Sequence, residues 1–577
     1  MDPTTTISTP AGAGGPIVDD VSRSTAAISL PRLDGGRFDA RRIDRAVLVF
    51  LLIGVFLRTV RYLLRFPLWE DECFLLSNFL DRGYGDLLRA LDYHQVAPIL
   101  FLWTQRAVID LFGFNEYSVR LLPFLCGVAS LFVFRRFASR LIEGPALVLA
   151  MATLAVAYPG IRYAAEAKPY GTDMFFSLVL LTLAVEWWRT PERTRLLWAL
   201  AAWTPLAVGF SYPAVFVAGG VSLATAWVVL RSRCWRAAPA WVAMNVALLT
   251  SFALLYALAT SAQADSELGW MGQYWQNTFP PLGQPVSLAA WLVVTHTSEM
   301  LSYPVGGARG ASTLTFICCA VGLAVAVRQR RLPLAVLCVV PLALNLVAAA
   351  LHRYPYGGHM RFTYYFAPVF CVLAGLGGWE ILRRLHAGRV PRQALAVSLG
   401  LLLAVGLVTV ARDVAHPYKA PSDMRARDFA RWFWFTHELD GEVACLYSDL
   451  GKDFAPETRK NLSWFNMYLC NLYIYSPRHA AGRPLDWERI SAERPLYCVE
   501  YRADHFAHDD RAEQAWLDEM SRRYELVDQR SIPCPRFDKH DRDLISEDSI
   551  EVHTFVPRTG PLDDASRTAH TTGDARR

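Results

Sequence analysis

The chain has 577 residues, 53% of them hydrophobic and 19% charged, with a formal net charge of +5. Soluble proteins carry about a quarter charged residues. Here the apolar residues stand in blocks divided by short basic loops, which excludes a soluble enzyme and points to a polytopic α-helical membrane protein. Arg is concentrated between the apolar blocks, which argues against nucleic acid as the partner.

In chain order, residues 1–43 are rich in Thr, Ser, Pro and Gly, then Arg, and lack the apolar core of a cleavable signal. They are expected to form a disordered cytoplasmic tail. Arg41, Arg42 and Arg45 precede the first apolar run, 46–64, which reads as an uncleaved signal anchor. The positive-inside rule then puts residues 65–97 outside. Residues 98–113 are short of the roughly 20 that a spanning helix needs, so they are expected to lie in the outer interface. Spans are expected at 118–138, 145–162, 171–188, 196–211 and 213–230, then at 238–260, 311–327, 332–351, 362–382 and 394–411. Segment 286–303 reads as half-apolar and outer. The total is about eleven spans. Each expected cytoplasmic turn is an Arg cluster, as at Arg135, Arg136 and Arg140 or at Arg328, Arg330 and Arg331.

The domains expected are therefore the tail (1–43), a membrane domain (44–411), an exported soluble α/β domain (412–558) and a disordered end (559–577). In the soluble part, 423–435 and 511–523 read as helices. Residues 443–447, 496–500 and 551–555 read as strands. The eleven cysteines show no C-x-x-C spacing. Export would allow one or two disulfides among Cys445, Cys470, Cys498 and Cys534.

Four stretches carry chemistry. Glu70-Asp71-Glu72 puts three adjacent acids at the edge of the first span. Their mutual repulsion in a falling dielectric should raise at least one pKa, as suits a general base. The same acids also suit the start of a helix. Asp71 and Glu72 are the catalytic candidates, and such a pair equally suits a divalent cation. Next, Asp92-Tyr93-His94-Gln95 offers His94 to an acceptor or a phosphate, or else simply closes a turn before a helix.

The third stretch, from Tyr163 to Tyr170, carries Glu166, Lys168 and Tyr170 at the outer end of two spans, where ionisable groups are functional by default. Lys168 suits a lipid-linked phosphate. A Glu166–Lys168 surface pair or a snorkelling Lys is the alternative. The fourth, 352–361, sets Arg353, His359 and Arg361 on the outer side against the positive-inside trend. Arg meets phosphate through a planar fork, and Gly357-Gly358 would let backbone approach it. Binding of anionic headgroups without chemistry is the alternative. Arg120, also outer, either joins this set or anchors at the interface. Outer aromatics such as Trp270, Tyr274 and Trp275 suit either sugar stacking or the interface.

Four motifs together resemble the GT-C superfamily of polytopic glycosyltransferases, and most of all the bacterial relatives of protein O-mannosyltransferases and lipid A aminoarabinose transferases. They are Trp69-Glu70-Asp71-Glu72 after the first span, Glu116-Tyr117-Ser118-Val119-Arg120, the stretch 163–170, and the stretch 354–361. The resemblance implies inverting transfer of a sugar from a polyprenyl-phosphate donor to an extracytoplasmic acceptor at the cytoplasmic membrane. Asp71 would fall on the family's base, with Lys168 and Arg361 on the leaving phosphate. No nucleotide cofactor is implied. The rival class is a transporter or flippase of lipid-linked sugars. It would call for polar groups at the bilayer midplane and internal repeats, and the sequence displays neither. The C-terminal part matches no family motif, and acceptor recognition is the role expected of it.

Overall fold

The apolar runs fold as helices. The computed structural model describes residues 39–261, 263, 274–307, 309–329, 332–387, 390–416, 420–436, 441–447, 463–476, 493–502, 510–537 and 544–558. Trp270, the tail before residue 39 and the end after 558 lie outside the described residues. The helices that matter below are, in order, α1 (Ala40–Leu63), α2 (Glu70–Leu76), α3 (Ile99–Phe112), α4 (Glu116–Leu141), α5 (Gly144–Ala155) and α6 (Tyr158–Tyr163). They continue with α7 (Tyr170–Arg189), α8 (Arg195–Phe210), α9 (Ala214–Arg231), α10 (Ala238–Leu255), α11 (Pro285–Thr297) and α12 (Thr313–Arg328). The last are α13 (Leu332–Ala350), α14 (Ala367–Leu385), α15 (Arg392–Ala415), α16 (Ala420–Thr436), α17 (Ser463–Tyr475) and α18 (Asp510–Arg523).

Among the described residues, seven helices are long and apolar enough to cross a membrane: α1, α4, α9, Trp235–Thr260, Pro333–Ala350, Met360–Leu385 and α15. Three shorter apolar helices, α5, α8 and α12, accompany them. With α7 they account for every run expected to span, so the chain is a multi-pass helical membrane protein. One run is divided. Residues 145–162 form α5 and the short α6, not one helix, because the chain leaves helical geometry at Val156-Ala157 and restarts with Pro159 in the first turn.

The fold divides into two compact units. The first comprises residues 1–64, 97–104 and 120–411. Its centre is α5, twelve residues long and buried from Pro145 to Ala155. Packing of α1 and α14 on α5 closes its two sides. Small residues allow this: a Cβ on Gly375 of α14 would stand 2.6 Å from the Ala146 carbonyl oxygen. The last carbonyls of α5 have no partner within their own helix. Arg58 of α1, fully buried, meets them: Nη1 donates to the carbonyls of Ala155 (3.1 Å) and Gly54 (3.0 Å), and Nη2 to that of Leu154 (3.2 Å).

The second unit comprises residues 65–96, 105–119 and 412–577, so the first loop is built together with the C-terminal part. Its four-stranded sheet has the order β1-β2-β6-β3: β1 (Glu442–Tyr447) and β2 (Leu496–Arg502) are parallel, and β6 (Ser549–Pro557) pairs antiparallel with β2 and with β3 (Tyr524–Pro533). A small ribbon joins β4 (Arg536–Phe537) to β5 (Leu544–Ser546). All three expected strands are present. Unforeseen were β3, a largely exposed edge strand whose charges hide the apolar alternation, and α17, whose aromatic-rich sequence reads as readily as a strand. Cys470, Cys498 and Cys534 are free thiols, so the disulfides that export would allow among these three are not formed.

Candidate functional site

Each unit gathers its own set of charged side chains. In the first unit, the C-terminal ends of α1 and α6 and the start of α4 bring arginines together. Arg61, Arg120, Arg162 and, two residues beyond Glu166, Lys168 are buried, at 6%, 4%, 3% and 5% exposure. Glu166 forms a buried ion pair with Arg162 one helical turn away. Arg61 lies within electrostatic range of both members of that pair and of Arg120. Glu166 thus has Arg162 as a partner, and since Glu166 and Lys168 are both buried neither belongs to a surface pair.

Arg361 sits in a short 3-10 helix, 360–366, that leads into α14. Its guanidinium lies 4.5 Å from the ring centre of Trp275 and donates to the Tyr170 hydroxyl at 3.3 Å. Stacking on an aromatic face holds a guanidinium flat and leaves its edge available to a planar or tetrahedral anion. His359 caps this helix: its Nδ1 accepts the Arg361 N–H at 3.2 Å, while Nε2 lies 3.9 Å from a Glu299 carboxylate oxygen. Burial pushes the Glu299 carboxyl up from its ordinary value, against a hydrogen bond from the Met360 N–H and the charges of Arg361 and Arg162. So Arg120, Glu166, Tyr170, His359 and Arg361 are drawn into one region with Arg61, Arg162, Trp275 and Glu299.

Two expectations here need revising. Gly357 and Gly358 both adopt left-handed backbone, φ 65° and 71°, but the space that their missing side chains leave is filled by protein. A Cβ on Gly358 would meet Thr278 Cγ2 at 2.6 Å, and one on Gly357 would overlap Thr295. These glycines let the loop pack on its neighbours, not on a ligand. Arg353 is exposed after α13, and the structure joins it to none of the side chains above.

In the second unit, Glu70, Asp71 and Glu72 occupy the first turn of α2. Glu72 is fully buried and turns back to accept the Trp69 N–H at 3.2 Å, satisfying a donor that the helix start leaves open. Asp71 is half-buried and Cys73 fully buried. The loop bearing His94 is fixed on the same segment. Tyr93 stacks on Phe74 of α2 with ring centres 5.7 Å apart, the Asn78 side chain accepts the Asp92 N–H at 2.8 Å, and Arg82 pairs with Asp92 at 2.8 Å. Tyr93 and His94 both have left-handed backbone, φ 60° and 53°, a strained state that persists only when its surroundings impose it. The loop bearing His94 thus packs against the helix that carries Asp71 and Glu72. Among the described residues, no three His, Cys, Asp or Glu gather as a metal site.

No family model matches the chain, and no curated protein matches it. Solved structures do. ArnT from Cupriavidus metallidurans bound to undecaprenyl phosphate aligns over 88% of this chain and 97% of that one, with 14% identity and a TM-score of 0.46. The Archaeoglobus fulgidus oligosaccharyltransferase in complex with Zn and sulfate aligns over 79% of this chain and 67% of that one, with 12% identity and a TM-score of 0.40. AglB from Archaeoglobus fulgidus, in complex with an inhibitory peptide and a dolichol-phosphate, gives 79%, 69%, 12% and 0.39 in the same order. At these values no residue's role carries over by alignment.

Arg61, Arg162 and Glu299 were not singled out from sequence. The signal for the two arginines was present: a charge inside an apolar run is costly and needs a reason. Arg61 stands in the run 46–64 and Arg162 ends the run 145–162. Glu299 carries no such mark, because a lone acid in an outer segment is unremarked until the fold sets it beside Arg361.

Proposed function

We propose that this protein is an integral membrane glycosyltransferase that moves a sugar from a polyprenyl-phosphate donor to an extracytoplasmic acceptor by inverting displacement, with Asp71 as general base. One observation carries the reading: Arg61, Arg120, Arg162 and Arg361 gather with two carboxylates, Glu166 and Glu299, in a unit made of membrane helices, and Lys168 is buried two residues beyond Glu166. A gathering of guanidinium groups suits an anionic headgroup, which their planar forks can grip. A phosphate on a lipid tail brings its charge to that environment already attached to an apolar chain.

In the proposed reaction Asp71 takes the proton of the acceptor hydroxyl as its oxygen attacks the anomeric carbon. The bond from that carbon to the lipid phosphate oxygen breaks, and Arg361 and Lys168 hold the phosphate that leaves. The stacked, hydrogen-bonded setting of Arg361 fixes its fork before the donor arrives, so little ordering is left to the reaction. Glu72, turned into its own helix start, holds α2 rather than moving a proton. The sidedness comes from the Arg-rich turns, which put the 65–97 loop and residues 412–558 outside the cytoplasm. The test is glycan and lipid mass spectrometry on a deletion strain carrying either the wild-type chain or Asp71→Asn. A sugar that disappears on deletion and returns only with the wild-type chain supports the reading; full return with Asp71→Asn removes Asp71 as the base.

A further inference from the structure

The C-terminal part holds the first loop at defined points. Helix α17 packs on α2. From α17, the Cys470 thiol reaches the Cys73 carbonyl oxygen at 3.6 Å and lies 3.4 Å from the Ser77 hydroxyl. At the last residue of α17, Tyr475 donates its phenol to one oxygen of Glu116 at 2.8 Å. The other Glu116 oxygen accepts Nε and Nη2 of Arg65, at 3.0 and 2.8 Å. Arg427 of α16 donates to the Arg65 carbonyl at 2.8 Å. The Arg65 guanidinium also faces the rings of Tyr117 and Tyr475, 5.3 and 5.6 Å from their centres.

The places of these residues in the chain give the arrangement its meaning. Arg65 follows the first span and Glu116 opens α4, so one carboxylate joins two points of the chain that bracket Asp71 and His94. Glu116 is 1% exposed, and a buried carboxylate gripped by three donors makes a rigid joint. Burial and the neighbouring Glu116 push the Tyr475 phenol up to about 12, so it stays a donor at physiological pH. We infer that Tyr475 and Glu116 are positioning residues for the Asp71 helix, and that the C-terminal part is a component of the catalytic apparatus. The inference rests on the reading of Asp71 as the base.

The experiment uses the full chain in lipid nanodiscs and in the complemented deletion strain. Tyr475→Phe removes only the hydroxyl, Glu116→Gln only the charge, and Asp71→Asn is carried alongside. Two quantities are read: affinity for undecaprenyl phosphate, and sugar transfer per amount of folded, membrane-inserted protein. A displaced base costs turnover rather than donor binding, so transfer by Tyr475→Phe should fall about tenfold while undecaprenyl-phosphate affinity stays within about twofold. Glu519→Gln, on the opposite side chemically as a surface partner of Arg522, should change neither. Unchanged transfer in Tyr475→Phe overturns the inference, as does a loss matched by phosphate affinity or by folded yield. Should Glu116→Gln not fold, Tyr475→Phe still decides. Wild-type transfer by Asp71→Asn marks failure of the base assignment, whereas an inactive Asp71→Asn beside a fully active Tyr475→Phe marks failure of the positioning alone.

Discussion

The two units treat charge in opposite ways. In the membrane-helix unit, arginines outnumber carboxylates, and Glu166 is shared among several cations. In the loop and C-terminal unit, each of the central acids has its own donors: Glu72 takes the Trp69 N–H, Asp92 takes Arg82, and Glu116 takes Arg65 and Tyr475. In the proposed reaction the first arrangement receives the phosphate. The second spends donors on holding backbone in place around α2, the helix that carries the proposed base. A phosphate site must be adaptable in charge, and a base must be fixed in position.

The sharpest way to break that contrast is Asp71→Asn. Removing a general base costs on the order of 100- to 10,000-fold in turnover, with undecaprenyl-phosphate binding unchanged by calorimetry or a fluorescent competitor. If binding falls instead, Asp71 belongs to donor recognition and the division of labour is wrong. Next in size, Lys168→Ala and Arg361→Ala should each weaken undecaprenyl-phosphate binding roughly tenfold, the scale of one charge-assisted hydrogen bond. Unchanged binding would make both of them interface anchors. Glu72→Ala should lower thermal stability by about 1 kcal/mol, the scale of a lost helix cap, and leave transfer by the folded fraction intact; a large loss of transfer at unchanged stability would return Glu72 to the catalytic set.

The smallest effect concerns Glu299. Its carboxyl titrates above its ordinary value, so the sign runs one way: as pH falls through that raised pKa the group loses its negative charge and the cluster becomes more cationic. Phosphate affinity should therefore gain a few-fold on acidification in the wild type. Glu299→Gln should show the tighter binding already at neutral pH, and the difference between the two proteins isolates Glu299 from the titration of the phosphate itself. Equal pH profiles would remove Glu299 from the site.

Much of the fold was readable without coordinates. The spans announced themselves by length and by the Arg clusters between them, because the bilayer sets a minimum length and the membrane sorts basic loops. Asp71, Lys168, His359 and Arg361 stood out as charges in places where charge is expensive. What the sequence hid was pairing at a distance. Nothing near Glu116 names Tyr475, 359 residues away, and nothing near Glu166 decides between Lys168 and Arg162 as its partner. Gly357-Gly358 misled for a related reason: a glycine reports that space is tight without saying whether ligand or protein fills it. Edge strand β3 escaped because the charges that protect an edge also erase its alternation.

Arg58 has a consequence for how the chain is made. Its guanidinium ends on the carbonyls of Leu154 and Ala155, 96 and 97 residues further along. A ribosome adds roughly 5–20 residues per second, so those carbonyls emerge on the order of 5–20 s after Arg58 itself. During that interval the first helix must enter the membrane with a charge that has met the Gly54 carbonyl of its own helix but not those of α5, at an insertion cost of up to about 3 kcal/mol. Biogenesis thus passes through a waiting state, and the arrival of α5 is the event that ends it.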